Sequence, residues 1–388
     1  MTTASPVVEG TCDGRFTRLK QRFIENFTTF GETGAALAIT LDNRPVVDIW
    51  AGHADRARTR PWQRDTIVNV YSTTKGMTAA CALRLVDQGR LDLDAPVARY
   101  WPEFARAGKE TLPVHFLLSH RAGLPTVSEP LAPDAIYDWP TMTAVLAAQE
   151  PFWTPGTKHG YHAVTYGWLV GEVIRRITGK SVGSYFREEI ARPLGIDCHI
   201  GLRPEEEARA AEFIPAPLPS AEELSMFAEI LKDPQSLLAR VFLNPPILPD
   251  AVNSHAWRVA EIPAANGHAN ARALARLYGA LACGGAVDGI RIIGPRTLEL
   301  AWAEQAAGPD AVIPLYTRLA HGFMLSTPTE RMGPNPRAFG HGGMGGSMGF
   351  ADPDVRLGFG YTMNEAHIGL WLIDPRVTAL IETLYTCV

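Results

Sequence analysis

The sequence predicts an α+β fold in which an antiparallel sheet, built from both ends of the chain, is flanked by helices and carries a large, mostly helical insertion. Three observations support this prediction. Short β-rich runs follow one another in the amino-terminal part, and β character returns only after Gly284-Gly285. Between them, helical segments alternate with connections rich in proline and glycine. Strands at both ends and helices in the middle bury their apolar faces most simply in this layered arrangement.

The first elements are a helix and a hairpin. Apolar side chains recur at three- and four-residue spacing between Phe16 and Phe30, which is typical of an amphipathic helix, with Asp13 as a candidate N-cap. The β-rich runs 36–41 and 45–51 lie on either side of three turn residues and indicate a hairpin.

A second helix follows a third apolar run. Residues 66–71 are β-rich and lead into a helix predicted over 72–88, which Gly89 would end in the left-handed conformation. The middle of the chain then shows helical patterns connected by loose segments. These further helices are predicted over 114–119, 166–177 and 271–283.

The carboxyl-terminal part returns to strands. The patterns predict strands over 321–325, 346–351 and 357–363. The last element is a helix that has Asp374 as its N-cap and Pro375 at its first position.

These elements suggest two interleaved domains. Residues 1–90 and 286–388 would form an α/β domain with the central antiparallel sheet, and residues 91–285 a mostly helical lobe. Because small-molecule sites form preferentially between such units, we expect the active site in the cleft between them.

Composition excludes several classes of function. Hydrophobic residues make up 46% and charged residues 20%, which excludes a disordered or fibrous protein. The net charge of -5 offers no basic surface for nucleic acid or an anionic membrane. No apolar run is long enough to span a membrane, and the amino-terminal stretch lacks a signal-peptide pattern, so we expect a soluble, cytoplasmic protein. Five scattered cysteines without a C-x-x-C pair predict neither a disulfide scaffold nor a zinc ribbon.

Ser72 and Lys75 are the first candidate site residues. At i and i+3 of a helix their side chains share one face. Serine needs a base to become a nucleophile, and a lysine whose pKa is lowered by burial can be that base. Only Lys75, among the lysines, has a serine three residues before it. The Ser72 N–H at the helix start would face a developing oxyanion. The alternative interpretation of these residues is a capped helix with an exposed lysine.

Tyr161 is the second candidate. It follows a Pro-Gly turn, and a tyrosine hydroxyl beside an ammonium group can act as a base. The alternative is a half-buried aromatic with a satisfied hydroxyl.

Trp153 is a candidate substrate contact because it lies close to Tyr161 in the sequence, although packing would also explain it. His159 and His162 have the best metal-like spacing, but they lack a third ligand, so we expect no metal site.

The third candidate is the glycine-rich run 339–347. Its glycines allow another backbone or a substrate to approach closely, and the Met344 N–H would supply a second oxyanion donor. The alternative is a glycine-rich bulge or turn. Ser347 within this run also fits the G-x-S-x-G pattern of α/β-hydrolases. Too little chain remains after Ser347 for the acid, histidine and strands of that fold, so we do not expect Ser347 to be the nucleophile.

In this order, the three features resemble the serine β-lactamase and penicillin-binding-protein superfamily. The resemblance is to its class C-like branch and, within it, to the family VIII carboxylesterases. The resembling stretches are 65–77 (DTIVNVYSTTKGM), 89–104, 117–125, 155–179 and 339–353 (FGHGGMGGSMGFADP).

The resemblance implies a β-lactamase/transpeptidase-like fold and a role for each candidate. Ser72 would be the acylated nucleophile, Lys75 its activating partner and Tyr161 a second general base. His341-Gly342-Gly343 occupies the position of the Lys-Thr-Gly strand motif and would contact the substrate. No cofactor is implied.

Two departures from the β-lactamase pattern bear on the substrate. Ala163 stands where Tyr-x-Asn has its asparagine, and His341 replaces the lysine of the strand motif, which weakens recognition of a carboxylate. Both favour a carboxylesterase acting on neutral, short-acyl esters, with at most weak activity on β-lactams. The alternatives are a β-lactamase, a D-alanyl-D-alanine peptidase, an acyltransferase, or a penicillin-binding or scaffold protein without turnover. The oligomeric state stays open.

Overall fold

The computed structural model describes residues 6–217, 226–247 and 250–388 of the chain. The first five residues, which belong to the stretch behind the localisation prediction, lie outside the described residues. The strands in this part are β1 Val8–Cys12, β2 Gly34–Leu41, β3 Arg44–Gly52, β4 Val68–Asn69, β5 Cys198–Ile200, β6 Gly267–Ala269, β7 Ala286–Val287, β8 Ile290–Arg291, β9 Ala306–Pro309, β10 Tyr316–Leu319, β11 Met324–Leu325, β12 Phe339–Gly342, β13 Met348–Asp352 and β14 Leu357–Met363.

The helices alternate with these strands along the chain. The α-helices are α1 Thr17–Thr29, α2 Thr74–Asp87, α3 Val114–Leu118, α4 Trp139–Ala148, α5 Thr165–Thr178, α6 Val182–Phe186, α7 Arg192–Leu194, α8 Pro204–Glu207, α9 Met226–Lys232, α10 Leu237–Leu243, α11 His255–Val259, α12 Ala271–Ala282, α13 Pro295–Leu298 and α14 Pro375–Leu384. Short 3₁₀ helices lie at Gly14–Phe16, Tyr71–Thr73, Val97–Arg99, Pro102–Phe104, Pro133–Tyr137, Ala251–Asn253 and Glu299–Ala301, and a π-helical turn lies at Arg187–Ala191.

Both ends of the chain build one nine-stranded sheet, which confirms the predicted α+β class. Its strand order is β1-β3-β2-β14-β13-β12-β11-β10-β9, and every neighbouring pair is antiparallel. The pairing of β2 with β14 joins the amino-terminal hairpin to the carboxyl-terminal strands. A three-stranded sheet, β4-β6-β5, and the β7-β8 ribbon are separate from it.

Strand β14 shows how helices cover both faces of the large sheet. A side chain at Gly358 or Gly360 would overlap the backbone of α12, so these glycines allow the helix to pack directly on the strand. Tyr361 points to the opposite face, because successive side chains of a strand alternate. Its hydroxyl contacts Glu32, which in turn pairs with Arg376 of α14. Helices α12 and α14 therefore lie on opposite faces.

Most predicted elements are present, but three boundaries are wrong. The run 66–71 contains only the two-residue strand β4, and α2 begins at Thr74, because a 3₁₀ helix comes between them. The predicted strand 321–325 is reduced to β11, since Gly322 takes a positive φ of 86°. Strand β13 begins two residues later than predicted, because Gly345 and Gly346 have φ values of 91° and 123° that no strand continues.

The packing of α12 bears on the predicted domain boundary at residue 285. A division there would separate α12 from the sheet against which it packs. We therefore propose that the sheet-containing unit begins again before α12. Among the described residues, no helix combines the length and the apolar character needed to cross a membrane.

Candidate active site

Ser72 lies in the 3₁₀ helix Tyr71–Thr73, which continues directly into α2. Tyr71 is buried and has a φ of +42°, a left-handed value that bulky residues rarely adopt. Its ring packs edge-on against Phe213, with ring centroids 5.0 Å apart. Strain of this kind persists where the surroundings impose it, and it concentrates at functional turns. Among the residues that the structure describes, the Ser72 N–H has no hydrogen-bond acceptor, so it is free to act as a donor.

Strand β6 supports this turn from one side. The Gly267 carbonyl accepts the Val70 N–H at 2.8 Å, and the Gly267 N–H donates to Thr74 Oγ1 at 2.8 Å. A Cβ at Gly267 would crowd Thr74. The backbone on both sides of Ser72 is therefore fixed by contacts nearly two hundred residues away in sequence.

Lys75 is fully buried in the first turn of α2 and reaches three neutral oxygens. Its Nζ lies 3.1 Å from Ser72 Oγ, 2.7 Å from the Ala163 carbonyl oxygen and 3.0 Å from the Ala264 carbonyl oxygen. Burial lowers the pKa of Lys75 well below its usual range, because the apolar surroundings disfavour the ammonium form. This shift favours the uncharged amine, the form that can accept the proton of the Ser72 hydroxyl.

Tyr161 completes the group around Ser72. Lys75 Nζ lies 4.8 Å from the centre of the Tyr161 ring. Burial raises the pKa of Tyr161 well above its usual range, and a hydrogen bond with the Ser72 side chain opposes this rise in part. The resting tyrosine is therefore a neutral phenol, so it can donate a proton and is not held as the partial phenolate that its proximity to an ammonium would favour.

Asp310, which is 149 positions away in the sequence, holds the backbone of Tyr161 in place. Its Oδ1 accepts the Tyr161 N–H at 2.9 Å, together with the Val312 and Ile313 N–H groups at 2.9 and 3.0 Å. Thr317 donates to its Oδ2 at 3.1 Å. Burial raises the pKa of Asp310, against the effect of these hydrogen bonds.

The glycine-rich run forms a tight turn between β12 and β13, next to Ser72. A side chain at Gly343 would overlap the Val70 carbonyl oxygen, so only glycine lets the turn approach Ser72 this closely. Within the described residues the Met344 N–H has no hydrogen-bond acceptor, and the Met344 side chain is 38% exposed. Met344 is thus the exposed residue of a turn whose other residues are buried or half-buried.

Ser347 has a structural role at the end of that turn. Its buried Oγ donates to the Val70 carbonyl at 2.8 Å and lies 3.1 Å from Thr73 Oγ1. The turn connects two strands of an antiparallel sheet, not a strand and a helix as in an α/β-hydrolase elbow. The sequence match of Ser347 to G-x-S-x-G is therefore coincidental.

His341 lines the site as an uncharged side chain. Its ring centroid lies 6.2 Å from that of Tyr161, and its Nδ1 lies 2.7 Å from the Gly342 carbonyl oxygen. Burial, together with nearby Lys75, lowers the pKa of His341 to about 3. The strand position that resembles Lys-Thr-Gly thus carries no positive charge at neutral pH.

Trp153, His159 and His162 are occupied by protein contacts. Trp153 is 8% exposed, donates from Nε1 to the Lys158 carbonyl at 3.1 Å and packs on His162. His159 Nε2 contacts Thr317 Oγ1 at 2.9 Å, whereas His162 Nδ1 contacts the Gly160 carbonyl at 2.6 Å. In the described ranges, no group of three or more His, Cys, Asp or Glu side chains is arranged to hold a metal ion.

Sequence reasoning missed Asp310 and the two carbonyls that bind Lys75. A backbone carbonyl has no residue-type signal, and Asp310 is 149 positions from the tyrosine that it holds.

A cavity of about 690 Å³ lies away from this site, between α4 and α5. Its wall includes Trp139, Glu172 and Arg175, and none of the predicted site residues.

Comparison with known proteins identifies close relatives. The chain matches the family described as Beta-lactamase over residues 22–382. It is 40% identical over 374 residues to the esterase/beta-lactamase LipL of Mycobacterium tuberculosis (strain ATCC 25618 / H37Rv), covering 95% of this chain and 85% of LipL.

Two solved structures are similar over nearly the whole chain. A family VIII carboxylesterase is 43% identical with a TM-score of 0.90, covering 98% of this chain and 100% of that one. A penicillin-binding protein homolog from Caulobacter crescentus is 42% identical with a TM-score of 0.89, and the same shares are covered.

Proposed function

The chain belongs to the beta-lactamase family, and from this premise we propose that it is a serine carboxylesterase that cleaves short-acyl esters through an acyl-enzyme on Ser72. The observation that carries the proposal is the position of the buried Lys75 amine 3.1 Å from Ser72 Oγ, where burial lowers its pKa well below the usual range of lysine. The relative LipL, named an esterase/beta-lactamase, and the similar family VIII carboxylesterase support a hydrolase of this superfamily.

Acylation begins with transfer of the Ser72 proton to Lys75 Nζ as Oγ forms a bond to the ester carbonyl carbon. The Ser72 and Met344 N–H groups donate to the carbonyl oxygen, which becomes an oxyanion; one such donor is typically worth about 2.7–4 kcal/mol. Tyr161 then passes a proton to the departing alkoxide and regains one from Lys75. The carbon–oxygen bond to the alcohol breaks, and the acyl group remains on Ser72.

Deacylation reverses these proton transfers with water in place of the alcohol. Tyr161 accepts a proton from water as the water oxygen attacks the acyl carbon, and it passes its own phenolic proton to Lys75 Nζ. The bond to Ser72 Oγ breaks, and Oγ regains a proton from Lys75 Nζ, which returns to its starting state. The net reaction consumes an ester and water and releases a carboxylic acid and an alcohol.

The absence of charge at His341 favours neutral esters as substrates. β-Lactams and D-alanyl-D-alanine peptides carry a carboxylate, which a fixed cation would recognise. His341 supplies none at neutral pH because its pKa is about 3. Ala163 likewise lacks the side-chain amide of the Tyr-x-Asn pattern, and its carbonyl instead accepts a hydrogen bond from Lys75.

The proposal is tested by p-nitrophenyl butyrate hydrolysis with the wild type, Ser72→Ala and Ser347→Ala. We expect Ser72→Ala to lose ~10³-fold or more in kcat while remaining folded. Ser347→Ala should lose far less kcat, because it removes only a hydrogen bond that supports the turn. Mass spectrometry should find the acyl group on the Ser72 peptide, and nitrocefin turnover should be weak.

Other outcomes would redirect the assignment. A Ser72→Ala variant that keeps most of its activity would show that the nucleophile is wrong. Rapid nitrocefin turnover with poor ester hydrolysis would favour a β-lactamase. Covalent labelling of Ser72 without turnover of either substrate would favour a penicillin-binding protein.

A further inference from the structure

A cluster of buried charges lies behind the glycine-rich turn. Arg376, Glu32 and Asp374 are all buried. Arg376 Nη1 donates to Glu32 at 3.1 Å, and its Nε and Nη2 donate to the two oxygens of Asp374, both at 2.9 Å. The Tyr361 hydroxyl also contacts Glu32. Burying charged groups is costly because they lose their hydration. A protein with apolar side chains of similar volume in the same space would therefore often be at least as stable.

The guanidinium of Arg376 also holds the backbone of the turn. Its Nη2 donates to the Gly345 carbonyl, and its Nη1 donates to the Glu365 carbonyl at 3.0 Å. A Cβ at Gly346 would overlap Arg376 Nη2, so the guanidinium fills the space directly beneath the turn. Gly345 and Gly346 have φ values of 91° and 123°. Glycine adopts such values readily, so it allows the turn to approach Arg376 this closely.

The rest of the turn is tied down on the opposite side. The Gly343 N–H donates to the Ser347 carbonyl at 2.8 Å, and Ser347 Oγ donates to the Val70 carbonyl at 2.8 Å. Between these two anchors lies Met344, whose N–H has no partner among the described residues. The carbonyl that Arg376 holds belongs to the next residue, Gly345.

We propose that Arg376 is a positioning residue for the oxyanion hole: by holding the Gly345 carbonyl, it sets the position of the Met344 N–H over Ser72. This inference rests on the proposed function, because it requires an oxyanion to form there. Arg376 touches no substrate and acts only through the turn. A displacement of about 1 Å at such a donor can cost ~10²-fold in rate.

The test compares Arg376→Lys with Glu32→Gln, using p-nitrophenyl butyrate. Lysine keeps the positive charge but lacks the fork that reaches Gly345 together with Asp374. Glu32→Gln alters the pairing at Nη1 and leaves the contact of Nη2 with Gly345. We expect Arg376→Lys to lose about 10- to 100-fold in kcat with little change in KM, and Glu32→Gln to keep kcat within about twofold. Inactivation by a p-nitrophenyl alkylphosphonate, whose adduct places an anionic oxygen in the hole, should slow in parallel with kcat.

Several results would overturn the inference. A folded Arg376→Lys with kcat within about twofold of the wild type would do so, as would equal losses in Arg376→Lys and Glu32→Gln. If Arg376→Lys does not fold, Gly346→Ala, whose Cβ displaces Nη2, must lower kcat at unchanged KM; retained kcat would refute the role. Ser72→Ala measured in parallel separates the two claims: if it is inactive while Arg376→Lys is not, only the positioning role fails, whereas an active Ser72→Ala refutes both.

Discussion

Lys75, the proposed general base, lies on one side of Ser72 among neutral groups, whereas charged side chains are buried behind the glycine-rich turn. Among the described residues, the hydrogen-bond partners of Lys75 Nζ are neutral oxygens, and burial lowers its pKa. Arg376 instead contacts two carboxylates and two carbonyls. Burial opposes its charge, but Glu32, Tyr361 and Asp374 outweigh that effect and raise the pKa of Arg376.

The difference separates two uses of a buried basic side chain. A side chain that must accept a proton needs surroundings that do not stabilise its charged form. A side chain that must hold backbone in place needs a permanent charge and several directed donors, which arginine provides. The comparison therefore predicts that losing Lys75 affects activity most, while losing Arg376 also affects folding.

The largest expected effect is that of Lys75→Met. Removing the base should lower kcat for p-nitrophenyl butyrate by ~10³-fold. The free energy of unfolding should change by less than about 2 kcal/mol, because relief from burying an amine offsets the lost bonds to the Ala163 and Ala264 carbonyls.

Arg376→Met is the matched variant for stability. It should lower the free energy of unfolding by about 3–5 kcal/mol, since it leaves Glu32 and Asp374 buried without their cation. Urea unfolding of both variants checks the contrast. Equal destabilisation by Lys75→Met and Arg376→Met would contradict the proposed difference between the two buried side chains.

The pH dependence should follow Lys75. Because the protonated amine cannot accept the Ser72 proton, kcat/KM should fall as the pH is lowered through the Lys75 pKa, up to about tenfold per pH unit. That midpoint should lie well below 10.5, the ordinary value for lysine. His341→Asn should leave the midpoint unchanged, because the pKa of His341, about 3, lies below the assay range. A midpoint that moves in His341→Asn would assign the titration to the histidine.

The lowered pKa of Lys75 also makes the free energy of unfolding depend on pH. The folded-state pKa of Lys75 is below that of the unfolded chain, so the unfolded state takes up this proton first as the pH falls. The Lys75 contribution to stability is thus fully present above pH 10.5 and is lost as the pH falls toward the folded-state pKa. Lys75→Met should flatten this part of the stability profile.

The smallest effect is expected at Asp310, which positions Tyr161. Asp310→Ala removes the acceptor of three N–H groups and should lower kcat by about tenfold. Asp310→Asn keeps an oxygen at that place and should retain most of the activity. If both variants lose activity equally, the negative charge of Asp310, and not its geometry, is what matters for Tyr161.

Sequence patterns predicted the fold because its strongest signals are local. The hairpin β2–β3, helix α12 and strand β14 each have their own periodicity, and the predictions agree with the structure within two or three residues. The 3₁₀ turn at Ser72 escaped prediction, since the positive φ of Tyr71 is imposed by packing against distant residues such as Phe213.

The candidate site was predictable only as far as its motifs extend. Ser72, Lys75 and Tyr161 lie close together in space, as their shared pattern implied. Asp310 and Arg376 have no motif, and each acts through the backbone of a residue far away or in another element. Such supporting contacts become visible only when the chain is folded.

The pairing of β2 with β14 also determines when this protein can fold during synthesis. Some 315 residues separate Leu41 from Leu357, so a ribosome adding about 5–20 residues per second needs roughly 15–60 s to deliver the partner strand. During that time the nascent amino-terminal hairpin exposes an apolar edge at β2, with which other chains can pair. Completion of the sheet, and with it the turn beside Ser72, is therefore a late event that follows translation of β14.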